Sequence, residues 1–505
     1  MSDDEDASIA APRAHRRCAR TPMVIGLAVL AIVGALTYAA TRQGSDNTIG
    51  PPAAENAALA RATEGKAAYL ARVAATGLAA DTPSVIIVHY DDLGYGDVGF
   101  LADTPIATPN LDALAADGVV LTNYHAPSAV CTPSRAGLLT GRLGPRADVP
   151  AVLFPSDGDF ASLNEDTGAS PLTGEEITLP DTLHAAGYRT AMIGKWHLGD
   201  GAGSRPTDFG FDSFLGSFFS HDLAPFVLYR DGAAIDGVDV SRLDTLYTDE
   251  AVRVVNDGAT AAAPFLLYLA HHYPHEPLTT DAANLGRSDA GRYGDVVEGL
   301  DNGIGRIVDA LAETEQLTNT IIIVTSDNGP WYQGSPGEHR GRKGSVHEGG
   351  FLVPFLAFWP AGITGGRTVD TMTMGTDVLP TVLDWLELPA PTDRILDGSS
   401  MAGVIDGTTD TASEYYYFYS GTALLAVSDG RFKYHAATEY VDAASGDADR
   451  ISVTSQGPWL FDLDADPGEN YDVSERYPQA TVDLQVEFTR RVAEMRDNPR
   501  GWRAS

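Results

Sequence analysis

Ser84-Val-Ile-Ile-Val-His-Tyr90, followed at once by Asp91 and Asp92, is an unbroken apolar, β-branched run that ends in two carboxylates. A strand with one face in water alternates polar and apolar residues, so this run predicts a strand buried on both faces. Three further runs repeat the pattern. TAMIG at 190–194 precedes Lys195 and His197, PFLLYLA at 264–270 precedes His271, His272 and His275, and TIIIVTS at 320–326 precedes Asp327 and Asn328. Helical patterns lie between them, which predicts an α/β fold with a mainly parallel sheet flanked by helices. Parallel strands share one carboxyl edge, and ligands bind outside it. Asp92 and Asp327, far apart in the chain, are therefore expected to meet.

One Asp-Asp or Asp-Asn pair commonly starts a turn or caps a helix. Four strand ends that all carry polar clusters point instead to a site. The oxygens of Asp91, Asp92, Asp327 and Asn328 make a hard donor set without thiolate, suited to Ca²⁺ or Mg²⁺ rather than zinc, and flexible carboxylates favour Ca²⁺. The His-His-Tyr-Pro-His stretch at 271–275 has a proline break and lacks the i, i+4 spacing of a zinc-binding helix. Cys131-Thr-Pro-Ser-Arg135 follows another apolar run and opens a predicted helix with Pro in its first turn, placing free N–H groups and the positive dipole end near Cys131. A lone cysteine is usually a small buried hydrophobe. Beside Arg135 at a helix N-terminus, Cys131 reads as a reactive thiol.

The segment CTPSRAGLLTGR at 131–142 resembles the sulfatase signature, whose cysteine is converted to formylglycine. The likeness continues in DDLGYGD at 91–97, TPNLDALAADG at 108–118, GYRTAMIGKWHLG at 187–199, PHEPL at 274–278, SDNGP at 326–330 and RKGSVHEGG at 342–350, and runs on to LFDLDADPGE at 460–469. It implies an alkaline-phosphatase-like fold with a smaller C-terminal antiparallel subdomain, and a sulfatase acting on an aryl or carbohydrate sulfate monoester. By resemblance the metal is held by Asp91, Asp92, Asp327, Asn328 and modified Cys131. Arg135 steadies the formylglycine, Lys195 and Lys343 bind sulfate oxygens, and His197 and His275 serve the formylglycine and the leaving group. A formylglycine-generating enzyme is implied as a maturation partner. A related phosphonate monoester or phosphodiester hydrolase shares much of this site, and a catalytically dead glycan-binding scaffold is a third reading. Against the third, every matched position is filled.

The rest of the chain sets the surroundings. Among 505 residues, 69 acidic and 34 basic side chains give a net charge of −35, which repels nucleic acid. Arg13, Arg16, Arg17 and Arg20 precede an uncharged run from Met23 to Ala40, which predicts a cytoplasmic tail (1–21), a transmembrane signal anchor or signal peptide (22–40) and an exported remainder. Cys18 and Cys131 then fall on opposite sides of the membrane. Residues 41–82 read as a linker and Ala-rich helical spacer, 83–395 as the catalytic domain and 396–505 as the C-terminal subdomain, closing in a helix near 475–497. Lys66 and Lys433 are expected to be solvated, and His271 and His272 either to touch substrate or merely to pack. Pocket walls are expected in the loops 146–172, 200–225 and 279–292.

Overall fold

The computed structural model describes residues 52–223, 225–436, 438–442 and 452–503. The basic and apolar segments before residue 41 lie outside the described residues. Among those described, no helix is long and apolar enough to cross a membrane.

The run at 84–90 is strand β1 (Ser84–Tyr90), at the centre of a ten-stranded sheet. In chain order the other nine are β2 (Val119–Leu121), β3 (Arg189–Lys195), β4 (Ser213–Ser217), β5 (Leu228–Arg230), β6 (Ala233–Ile235), β7 (Phe265–Ala270), β8 (Thr320–Ser326), β9 (Phe355–Phe358) and β10 (Arg367–Val369). Across the sheet they lie as β10-β2-β9-β8-β1-β7-β3-β4-β5-β6. The five central strands, β8 to β4 in that order, are all parallel. The edges are not: β9 runs antiparallel to β8 and to β2, and the short hairpin β5–β6 runs antiparallel to β4.

Both faces of the central strands are covered, which explains the continuous apolar runs. Val85 and Ile87 of β1 pack into one core with residues of helices α2 (Cys131–Thr140) and α3 (Leu179–Ala186). Ile86 and Val88, pointing the other way, pack with α4 (Leu243–Thr260) and α5 (Gly291–Glu313). Helix α1 (Pro52–Thr76), expected as a stand-off spacer, is docked on the first core, with Tyr69 and Val73 buried in it. Lys66 on α1 is also withdrawn from solvent, pairing with Asp181 at 2.8 Å.

A four-stranded antiparallel sheet follows, of β11 (Tyr416–Ser420), β12 (Ala423–Ser428), β13 (Phe432–His435) and β14 (Trp459–Asp462), with the closing helix α6 (Pro478–Asp497) against it.

Candidate active site

Strand register brings the polar residues together. Tyr90 pairs with Ser326, so Asp91 and Asp327 are the next residues on neighbouring strands. Gly194 pairs with Ala270, one step before Lys195 and His271. Only glycine fits at 194, because its φ is +105° and a Cβ would meet the Ala270 carbonyl oxygen. Asp92 and His197 also adopt positive φ, 66° and 61°, turning sharply as each strand ends. Helix α2 is buried along its whole length and places Cys131 at its N-terminus.

The charged groups interlock. Lys195 Nζ donates to Asp91 Oδ2. Arg135 donates through Nε and Nη2 to Asp327 Oδ2 at 3.0 and 2.8 Å, and through Nη1 to the Lys195 carbonyl at 2.8 Å. Lys343 Nζ lies 2.6 Å from Asp92 Oδ1 and 3.3 Å from Cys131 Sγ, and the thiol faces Asp91 Oδ1 at 3.5 Å. Asn328 Nδ2 donates to Asp92 Oδ1 at 2.7 Å, while its buried Oδ1 has no partner. His275 Nε2 stands 3.8 Å from Asp92 Oδ2, and its Nδ1 meets the Glu276 carbonyl. His197 Nε2 donates to the Leu153 carbonyl at 2.9 Å, leaving Nδ1 buried without a partner. The ten residues expected at the site therefore all lie at this edge.

Burial opposes ionisation of Asp91, but Lys195, then His275, Arg135 and Lys343, hold its carboxyl well below the usual range. Asp327 is pushed up to about 6 by burial and by Asp91, with Arg135 opposing. Burial, then Lys195 and Arg135, keeps His197 neutral. Cys131 corrects an expectation. Burial, then Asp327 and Asp91, raises its thiol far above the ordinary value, and Arg135 is engaged by Asp327 instead. With those carboxylates facing it, the side chain of Cys131 is held as a thiol.

A cation fits this donor set. Among the described residues, Asp91, Asp92, Cys131 and His275 each offer one donor atom within 4.8 Å of the others. The orphaned Asn328 Oδ1 adds a neutral oxygen, and Asp327 Oδ1 lies 3.2 Å from the Asp92 amide nitrogen.

His271 and His272 pack. His271 stacks on Tyr90, and His272 meets the Tyr247 hydroxyl at 3.2 Å and the Phe219 carbonyl at 3.3 Å. Ser220-His221-Asp222, expected only as part of the pocket-wall loop 200–225 and given no role there, follows β4 onto the same edge. The His221 ring lies 5.9 Å from that of His275, and His275 helps hold Asp222 low against its burial. The strand-end rule applies there too, but SFLGS is too short and polar to read as a buried strand. A cavity of about 320 Å³ opens beside the cluster, walled by Ser128–Val130, Pro150–Val152, Gly344–Val346 and Tyr419–Thr422 among others. Loop 146–172 contributes as expected, whereas the β11–β12 turn was not foreseen as a wall.

Residues 83–388 match the sequence profile described as sulfatase, and residues 411–501 that of the C-terminal region of aryl-sulfatase. The chain is 35% identical to arylsulfatase A of Homo sapiens over 443 residues, which is 79% of this chain and 85% of that protein. It is 31% identical to the N-acetylgalactosamine-6-sulfatase of Canis lupus familiaris, over 78% of this chain and 82% of that one. The crystal structure of PsFucS1 sulfatase from Pseudoalteromonas sp. superposes with a TM-score of 0.74 at 25% identity, covering 90% of this chain and 96% of the other.

Proposed function

The chain belongs to the sulfatase family and is a sulfuric ester hydrolase, and we propose how its residues divide the hydrolysis of a sulfate monoester. The observation that carries the assignment is the convergence of Lys195, Lys343, Asp91 and Asp92 on Cys131 in one buried cluster.

Membership implies formylglycine at position 131 and a divalent metal. Hydrated formylglycine supplies two hydroxyls on one carbon, one to bond sulfur and one to release sulfate by elimination, while the metal supplies Lewis-acid charge stabilisation. Asp91, Asp92, Asp327 and Asn328 would hold that metal. Their all-oxygen character favours Ca²⁺, with Mg²⁺ the next choice.

Lys195 and Lys343 bind the sulfuryl oxygens and stabilise charge that builds there in the transition state. Arg135, forked onto Asp327 and the Lys195 carbonyl, holds the floor of the site rigid. His197 gives its Nε2 proton to the Leu153 carbonyl, so its bare Nδ1 is an acceptor for a hydroxyl at residue 131. His275 donates an Nδ1–H hydrogen bond to the Glu276 carbonyl, which turns Nε2 towards the site; in the imidazolium form Nε2 also carries a proton, and that proton passes to the departing alcohol oxygen.

Sulfated carbohydrates or aryl sulfates are the proposed substrates, in line with the name of the canine relative. We place the catalytic domain at 83–395 and its smaller partner at 396–505, outside the cytoplasm, tethered through residues 22–40 or secreted if that segment is cleaved, with a formylglycine-generating enzyme acting during maturation and no nucleic acid partner. The test pairs mass spectrometry of the Cys131 peptide with turnover of an aryl sulfate and an aryl phosphodiester. Loss of the thiol mass together with faster sulfate cleavage is expected. Full activity from unmodified cysteine would refute the assignment.

A further inference from the structure

Lys343 lies on an irregular segment between β8 and β9, yet its ammonium must be held against Asp92 and Cys131. The catalytic domain provides part of that hold: Lys343 N bonds to the Pro330 carbonyl at 3.1 Å and Gly344 N to the Ala129 carbonyl at 2.8 Å. The catalytic domain also holds Arg342 through the Trp331 and Gly334 carbonyls and Glu348 through His125, and further contacts come from the C-terminal subdomain. Lys433 on β13 is fully buried, against the expectation of a solvated lysine, and its Nζ reaches the Val346 carbonyl at 2.9 Å and Glu348 Oε1 at 2.7 Å. Glu469 Oε2 accepts from Glu348 N at 2.6 Å, and the Glu469 carbonyl accepts from Arg340 at 3.1 Å. Glu469 is itself fully buried with φ of 49°, a left-handed conformation that a non-glycine residue keeps only where its surroundings demand it. The segment 340–348 is thus gripped from the C-terminal side at Arg340, Val346 and Glu348, on both sides of Lys343.

We propose that Lys433 and Glu469 are positioning residues for catalysis: they clamp the loop that presents Lys343, so the C-terminal subdomain sets the geometry of a lysine it does not carry. The inference rests on reading Lys343 as a sulfuryl-binding group. Neither Lys433 nor Glu469 touches the reacting atoms, so each should act through Lys343 alone.

The test is a double-mutant cycle on formylglycine-containing enzyme with nitrophenyl sulfate. Lys433→Met should lower kcat by about 10–100-fold, the usual cost of removing a group that orients a catalytic side chain, and change KM less. Lys433→Arg, which keeps the charge, should restore part of the loss. In the Lys343→Ala background, adding Lys433→Met should cost little more, because the residue it positions is already gone. Glu469→Gln, which keeps the side chain's shape, should follow the same pattern more weakly and replaces Lys433→Met in the cycle if that variant does not fold. Multiplicative losses in the double variant, or wild-type kcat in a folded Lys433→Met or Glu469→Gln protein, would overturn the clamp. Wild-type activity in Lys343→Ala would instead overturn the role of Lys343, and the clamp with it.

Discussion

At the carboxyl edge of the main sheet, Asp91, Asp92 and Asp327 face Arg135, Lys195 and Lys343; at the seam with the C-terminal subdomain, Glu348 and Glu469 face Lys433, His125 and His435. Both clusters are withdrawn from water, and both balance charge with charge. They differ in what is left over. At the seam every carboxylate oxygen is engaged: Glu348 by Lys433 and His125, Glu469 by His435 and the Glu348 amide. Burial would raise Glu469, yet Lys433 and His435 hold it down at about 2. At the sheet edge Asn328 Oδ1 and His197 Nδ1 stay unpartnered, and Asp327 is pushed up to about 6. His125 Nδ1 at the seam also lacks a partner, so it is the carboxylates there that are saturated; a saturated set of carboxylates fixes structure, whereas a site with spare acceptors beside its carboxylates is built to receive something.

If that contrast holds, the two clusters should fail differently. The largest effect is expected at Cys131→Ala, which should cut turnover by about 10⁴-fold or more, as loss of a nucleophile does, while moving the unfolding free energy by no more than about 1 kcal/mol. Kinetics and urea melts on one preparation check both. Glu348→Ala should instead lose about 3–5 kcal/mol of stability in a urea titration, because Lys433 and His125 are left facing an emptied partner, with a kcat loss no larger than that of Lys433→Met.

Within the catalytic cluster, His275→Ala should slow alkyl or sugar sulfates by about 10²–10⁴-fold and nitrophenyl sulfate far less, since an alkoxide needs a proton to leave and a nitrophenolate does not. Equal losses on both substrates would reassign His275 to binding. Spare ligands should also show as metal-dependent stability. Ca²⁺ at about 100 times its Kd should add about 2.7 kcal/mol over chelator-treated protein, and Asp327→Ala should remove that gain in thermal melts.

The smallest effect tests the saturated kind of network elsewhere. Asp397 is paired with Arg491 and Arg146 at 2.6 and 2.9 Å. Burial opposes its charge, but Arg491 and then Arg146 bring its carboxyl down to about 2 from an ordinary 3.8. A depressed carboxylate stabilises the fold above its unfolded pKa and loses that contribution as pH falls through its folded one. Asp397→Asn should therefore cost roughly 2 kcal/mol at neutral pH, the difference from wild type shrinking as pH falls from about 4 towards 2. A gap independent of pH would show that packing, not charge, links α6 to the turn at 143–147 that follows the helix of Cys131.

Much of this arrangement was legible before any coordinates. The apolar runs at 84–90, 190–194, 264–270 and 320–326 marked the central strands because covered faces leave no polar alternation. The residues after each run marked the site because parallel strands end on one edge. The burial of Lys66 and Lys433 was not legible, since a lysine looks solvated until its partner is known, and Asp181 lies 115 residues from Lys66 and Glu348 lies 85 from Lys433. Cys131 misled for a related reason: Arg135 lies near it in sequence but faces Asp327 in space.

The chain by itself determined the sulfatase family, the α/β class and the residues at the strand ends, because these follow from local patterning and from motifs whose members lie close together. Tertiary structure alone decided which cation faces which carboxylate, that β9 and the β5–β6 hairpin reverse direction at the sheet edges, that Ser220-His221-Asp222 joins the site, and that β13 reaches across to the loop of Lys343. Pairing energies inside a protein depend on distance and on exclusion of water, and for groups far apart in the chain both are created only when the elements pack.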